Sequence, residues 1–441
     1  MTPPLALADA ALSALCDRVG RLAWHSVPPD VRERAVLVVA DELSCAIAAA
    51  GDAEARRHAR ALAPDRPPRA PTRTARAFDS RRPLDAPTAA ARNATYANWW
   101  QLDGGHHRLM CHAALYVVPA ALAEAQAADA SVADWLAAVV AGYELTCSLA
   151  QALAHGEPPL HPHATLSAAG ALAAIARLRR WQPARWRGAL HSLLANAPAV
   201  PFTAALEGEL AVNTLAGQGI LRAFVAADGL PAEVADARPP RPVRTPRARS
   251  QPAWALREAY HKEWGCAAQA LPALQALLAA RAQAGSGAAM PDWIEVRAHA
   301  FAGRMMQQAP ATSLAARFSI PHLLAVVWLH GRTDPQAFGA ELLHDPGVCA
   351  LRQRVRFLAT EAAAPPPFHR AARVVVATPL GHWHGACRAA RGSPGLPLSR
   401  DDIVAKVRRQ AGRQLDAVLA LLQAGGDSGR PAGRVRELLA R

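Results

Sequence analysis

The sequence predicts a mainly α-helical protein, with a smaller part of mixed helix and strand beyond residue 250. Three observations carry that prediction. Alanine and leucine dominate a chain that is 51% hydrophobic but only 5% aromatic, and such residues are at little cost in helices. Apolar residues recur at three- and four-residue spacing, as in LVVADELSCAIAAAG (37–51). Late in the chain the texture changes, and WIEVRAHA (293–300) and RVVVATPLGHWHGACRAA (373–390) alternate or run β-branched, as strands do. A chain of 441 residues is long enough for one large and one smaller domain, and buries roughly 75% of its unfolded surface.

Residues 5–50 read as two or three helices. Residues 51–90 are rich in arginine and proline and read as a surface excursion with little core-forming power. The stretch from Tyr96 to Ala123, YANWWQLDGGHHRLMCHAALYVVPAALA, ends in an apolar helix that Pro119 would kink. Ser131 is placed to cap the next helix, and Gly142 in its middle marks close packing. LHPHATLSAAGALAAIARL (160–178) sets His161-Pro162-His163 before a small-residue helix, and 211–230 forms another helical unit. Residues 231–252 read as a linker. Helices are expected after Lys262, around SIPHLLAVVWLHG (319–331), and over 399–412, where Ser399 caps and Asp401 and Asp402 occupy the first turn. Pro365-Pro366-Pro367 is a break.

The net charge of +14 is compatible with anionic substrates. The arginines are spread along the chain, with no basic stripe interleaved with aromatics, which argues against nucleic acid. Seven scattered cysteines without a C-x-x-C pair point to reduced, buried thiols and a cytoplasmic protein. The first twenty residues lack a basic segment and Asp9 interrupts their apolar run; no uninterrupted apolar run reaches membrane-spanning length. A soluble protein without membrane attachment is expected. Of the 49 basic residues only Lys262 and Lys406 are lysines. A buried lysine can release its proton where arginine cannot, so Lys262 is a candidate acid or base; the alternative is a solvated surface lysine.

The central stretch brings Asp103, Gly104-Gly105, His106, His107 and His112 within ten residues. Histidine titrates near neutrality and a carboxylate can orient its ring, together an acid/base kit. The following helix start, like the one after His161 and His163, suits an anion such as a carboxylate. The alternative is a histidine-rich loop that merely caps a core helix.

Taken in order, HAALYVVPAALAEA, VAGYELTCSLAQAL, HPHATLSAAGALAAIARL, AGQGILRAFVAADGL, HKEWGCAAQALPAL, SIPHLLAVVWLHG and the segment from VVVATPLGHWHG to DDIVAKVRRQAG resemble the MmgE/PrpD family of 2-methylcitrate dehydratases, cis-aconitate decarboxylases and related epimerases. The resemblance implies a large all-helical domain (1–250), a smaller α+β lid domain (251–390) and C-terminal helices (391–441) returning to the first. It also implies a homodimer and no metal or organic cofactor. By position, His112, His161 and Lys262 match family site residues, with Asp103 the acid that remains; His106, His107, His163 and Gln101 are expected to contact substrate. The chain departs from the pattern at Gln101 and Gly104, where acids are expected, at Asn98 for a histidine, at Gly208 for a lysine and at His330 for an aspartate. The expected activity is proton abstraction next to a carbonyl or carboxyl group of a small carboxylate, leading to dehydration or decarboxylation. An isomerase, epimerase or cyclase on the same scaffold, or a non-catalytic ligand-binding relative, are the alternatives.

Overall fold

The computed structural model describes residues 9–65, 73–153, 160–229, 254–285, 289–360, 368–424 and 433–438. The protein is mainly α-helical. Its helices include α1 (Pro29–Ala49), α2 (Ala86–Trp99), α3 (Ala113–Ala127), α4 (Val132–Leu153), α5 (Pro162–Leu178), α6 (Leu215–Gly229), α7 (Leu271–Ala284), α8 (Ile320–His330) and α9 (Arg400–Ala411). Helix α3 is apolar on every face and buried from Ala113 to Gln126, as a helix must be when others surround it. It packs against α2, α4 and α5. Small residues let these axes approach: a Cβ on Gly142 would meet Val117 Cγ1 at 2.7 Å. Ser131 caps α4 as expected, its Oγ accepting from the Asp134 amide at 3.1 Å, and Ser399 forms a capping box with Asp402 on α9. Val132–Leu153 and Leu210–Gly229 are long and apolar enough to cross a membrane, and most of each is buried within the protein.

Two short strands, β1 (Gly105–His106) and β2 (Ala259–Tyr260), pair antiparallel. A four-stranded sheet holds β3 (Trp293–Ala298), β4 (Val355–Ala359), β5 (Ala372–Thr378) and β6 (Gly381–Cys387) in the order β4-β3-β5-β6. β3 runs parallel to β4 and antiparallel to β5, and β5 and β6 form a hairpin with Val374 opposite Gly385. Helix α7 covers one face.

Two hydrophobic cores result. The first runs through α1 to α6 and takes in Ile403, Val407 and Leu415 from the C-terminal helices. The second lies between the sheet, α7 and α8, and also recruits Phe202, Ala205, Val212 and Leu215. The cores therefore do not divide at a single point in the chain. Residues 51–65 and 73–90 carry more regular structure than their composition implies. Ala53–Leu62 is a helix capped by Asp52, and Thr74–Ala75 pairs with Leu84–Asp85. The reason is buried Arg92, which donates to Ala63 O at 2.7 Å and pairs with Asp79 at 3.2 Å, tying the segment down. The expected linker at 231–252 and the break at 365–367 lie outside the described residues.

Candidate active site

The loop between α2 and α3 carries the site. Gln101 opens it with φ 52°, a left-handed conformation uncommon for a side-chain-bearing residue and often found at functional sites. Gly104 is required for space: a Cβ there would meet Tyr260 O at 2.4 Å, because β2 lies directly against the loop.

Behind the loop, buried Asp103 binds His112. Its Oδ2 lies 2.5 Å from His112 Nδ1, and its Oδ1 lies 3.9 Å from Lys262 Nζ. Burial works to raise the Asp103 carboxyl, but the charges of His112 and Lys262 and the hydrogen bond from His112 hold it below the ordinary range. An ionised Asp103 accepts, so His112 Nδ1 donates and Nε2 is left as the basic nitrogen. Lys262 Nζ donates to Gln101 O at 2.5 Å and Cys266 O at 3.4 Å, locking both loops together.

The other histidines are neutral donors. Burial, then the neighbouring His112, drives His161 down to about 3, and burial places His163 well below the ordinary range. His161 is the N-cap of α5, and its Nδ1 accepts the His163 amide at 3.3 Å, so its proton resides on Nε2. Tyr116, whose phenol burial pushes up, stays protonated and donates to His163 Nδ1 at 2.8 Å, leaving that proton on Nε2 as well. The rings of His161 and His163 meet edge-on at 4.5 Å, and those of His112 and His163 at 5.2 Å. Phe202 stacks on His161 at 5.7 Å. His106 is lowered to about 4 by burial and then Arg108.

These groups face one pocket. Gln101, His106, His112, His161, His163 and Lys262 line it, with Tyr260 and Arg370. Asp103 lies behind His112, fully buried, and acts through it. His107 faces an adjoining compartment instead, because alternation along β1 turns its neighbour His106 toward the pocket. Two departures from the family pattern, Gln101 and Asn98, meet at this pocket, while Gly208 packs against Thr312 and His330 faces Asp345 elsewhere. Gln101 Nε2 donates to Asn98 Oδ1 at 2.9 Å and Asn213 Oδ1 at 3.3 Å, a neutral amide cluster. Gly208, at φ 82°, leaves no room for a side chain: a Cβ would meet Thr312 Oγ1 at 2.3 Å.

A second ionic set supports the loop from the other side. Asp41 holds Lys406 Nζ at 2.5 Å and His261 Nδ1 at 2.8 Å, and Lys406 donates to Leu102 O at 3.1 Å. Beside it, burial and then the charges of Asp103 and Asp41 push Glu42 well above the carboxylate range, keeping it protonated. Sequence reasoning passed over Lys406, although its rarity is the same signal that singles out Lys262. Tyr116, Tyr260 and Arg370 carry no local signal. Among the described residues no group of three or more histidine, cysteine, aspartate or glutamate side chains is arranged to hold a metal ion.

The MmgE/PrpD N-terminal domain matches residues 13–236, and the MmgE/PrpD C-terminal domain matches residues 264–423. The chain belongs to the MmgE/PrpD family. The family includes lyases such as 2-methylcitrate dehydratase. No curated protein matches this MmgE/PrpD chain. What its pocket does therefore rests on its own residues: one basic imidazole, oriented by a buried carboxylate, facing two neutral imidazole donors.

Proposed function

We propose that this MmgE/PrpD protein is a lyase acting on a small carboxylate-bearing metabolite. His112 Nε2 removes a proton from the carbon next to a carboxyl or carbonyl group. The electron pair moves onto that group as an enolate, which the Nε2–H donors of His161 and His163 and the Lys262 ammonium stabilise. Collapse of the enolate expels a β-hydroxyl, which takes up a proton and leaves as water, giving dehydration. Decarboxylation reaches an equivalent enolate by loss of CO₂ instead of a proton, the C–C bonding pair moving onto the neighbouring group, and the protonated form of His112 then delivers one proton to carbon. The observation that carries this reading is the 2.5 Å contact between Asp103 and His112, which sets the tautomer that a base requires.

The neutral cluster of Gln101, Asn98 and Asn213, and the filled space at Gly208, favour a second reading. With fewer fixed charges than the family pattern, the enolate is reprotonated on its other face and the enzyme is an epimerase or other isomerase. Both readings predict exchange at carbon. Small di- and tricarboxylates incubated with the protein in deuterated water should show incorporation or elimination by NMR. His112→Gln should slow this by roughly 10²–10⁴-fold with little change in melting temperature. Binding without exchange for every candidate would make the protein a ligand-binding relative.

A further inference from the structure

Beyond Tyr260 and Arg370, which line both spaces, the reaction pocket adjoins a second, smaller compartment. Arg370, Arg388, Arg391, His107, His261 and Ser393 line it with Leu271, Pro272 and three alanines, and among the described residues no aspartate or glutamate does. Arg370 donates to His107 O at 2.6 Å, and among the described residues no carboxylate pairs with it. Arg388, at the exposed mouth, lies over the Phe368 ring at 4.1 Å. Arg391 is engaged by Glu263 and Asp402, so its charge is largely answered. Ser393 is 7% exposed, and its Oγ has no hydrogen-bond partner. Helix α7 begins at this wall with Leu271 and Pro272, without a side-chain cap and without an acid in its first turn. A buried hydroxyl left unpartnered is costly, and here it stands beside unanswered guanidinium groups and the positive end of a 14-residue helix.

We propose that this compartment is an oxyanion site, taking a carboxylate or phosphate group between Arg370, Arg388 and Ser393. The site stands on these residues. Only the source of the anion rests on the proposed function: a distal group of the substrate reaching past Tyr260, or a free anion held beside it.

Calorimetric titration of the full chain with inorganic phosphate and, separately, glutarate tests it. At least one probe should bind wild type at one site per chain. Arg388→Gln and Ser393→Ala should each weaken that binding by about tenfold, the scale of one charge-assisted or buried hydrogen bond, while Arg388→Lys retains most of it. Both changes are small or at the exposed mouth, and unchanged melting curves verify the fold. If phosphate displaces glutarate, and glutarate is weakened by His112→Gln as well as by Arg388→Gln, the substrate's own group uses the site. If both bind together and only phosphate responds to Arg388→Gln, a free anion does. If neither probe binds, or neither responds to Arg388→Gln and Ser393→Ala, the assignment is wrong. Failure of the catalytic reading shows separately, as absence of deuterium exchange by the wild-type protein.

Discussion

The loop from Gln101 to His112 lies between two sets of the same three residue types. On the pocket side Asp103 holds His112 at 2.5 Å with Lys262 at 3.9 Å; on the inner side Asp41 holds His261 at 2.8 Å with Lys406 at 2.5 Å. Each lysine also donates to a loop carbonyl, Lys262 to Gln101 and Lys406 to Leu102. What separates the sets is access. The His112 side chain is 19% exposed and lines the larger pocket, whereas that of His261 is 1% exposed and borders the smaller compartment beside Arg370. An aspartate–histidine–lysine arrangement is thus not in itself a catalytic site. Under the proposed reading the more open set meets the substrate, while the more enclosed set ties down the loop that carries His112.

The comparison breaks most sharply at the aspartates. Asp103→Asn removes the acceptor that orients His112, and exchange activity should fall by up to about 10⁴-fold. Asp41→Asn should leave the pH profile of that activity unchanged in shape while lowering the melting temperature. Equal losses of activity in the two variants, with the same profile, would erase the distinction between site and clamp.

The lysines give the next largest effect. Lys406→Met strands the buried Asp41 carboxylate, and removing one member of a buried pair costs about 3–5 kcal/mol. Lys262→Met should cost less, because its carboxylate is farther away and keeps His112. Urea denaturation of both variants measures the difference, and a larger loss for Lys262→Met would reverse the roles assigned here.

The smallest effect is in pH. His161 ionises at about 3 in the folded protein because burial disfavours its charged form, against roughly 6.5 when unfolded. Below pH 6.5 the unfolded chain therefore binds a proton that the folded chain refuses. Stability is fully present above that pH and declines as pH falls toward 3, at up to about 1.4 kcal/mol per pH unit for one histidine. His161→Gln should flatten the decline by about one proton between pH 6 and 4.5. An unchanged slope would mean that His161 is solvated and no neutral donor.

Much of this was legible in the chain. His106 and His112 of the central stretch and both histidines of the His161-Pro162-His163 turn reach one pocket, because each group sits just before an apolar helix that must be buried, which carries its N-terminus inward. Lys262 was visible through the rarity of lysine. Less legible was the split between His106 and His107, which depends on pairing with a strand some 150 residues away. Arg370 was invisible, one arginine among many until folding places it between two pockets.

The sequence by itself determined the helices, their caps, the strand hairpin and the residue types available for proton transfer, because these depend on local propensity, periodicity and hydrogen bonds between near neighbours. Only the tertiary structure decided which aspartate meets which histidine, which lysine joins each set, and which imidazoles face the pocket. Those outcomes turn on burial and on contacts between distant segments. Asp41 and Lys406 are joined across nearly the whole chain and hold each other charged against desolvation, whereas desolvation itself keeps His161 neutral; both effects exist only once the two cores have closed around them.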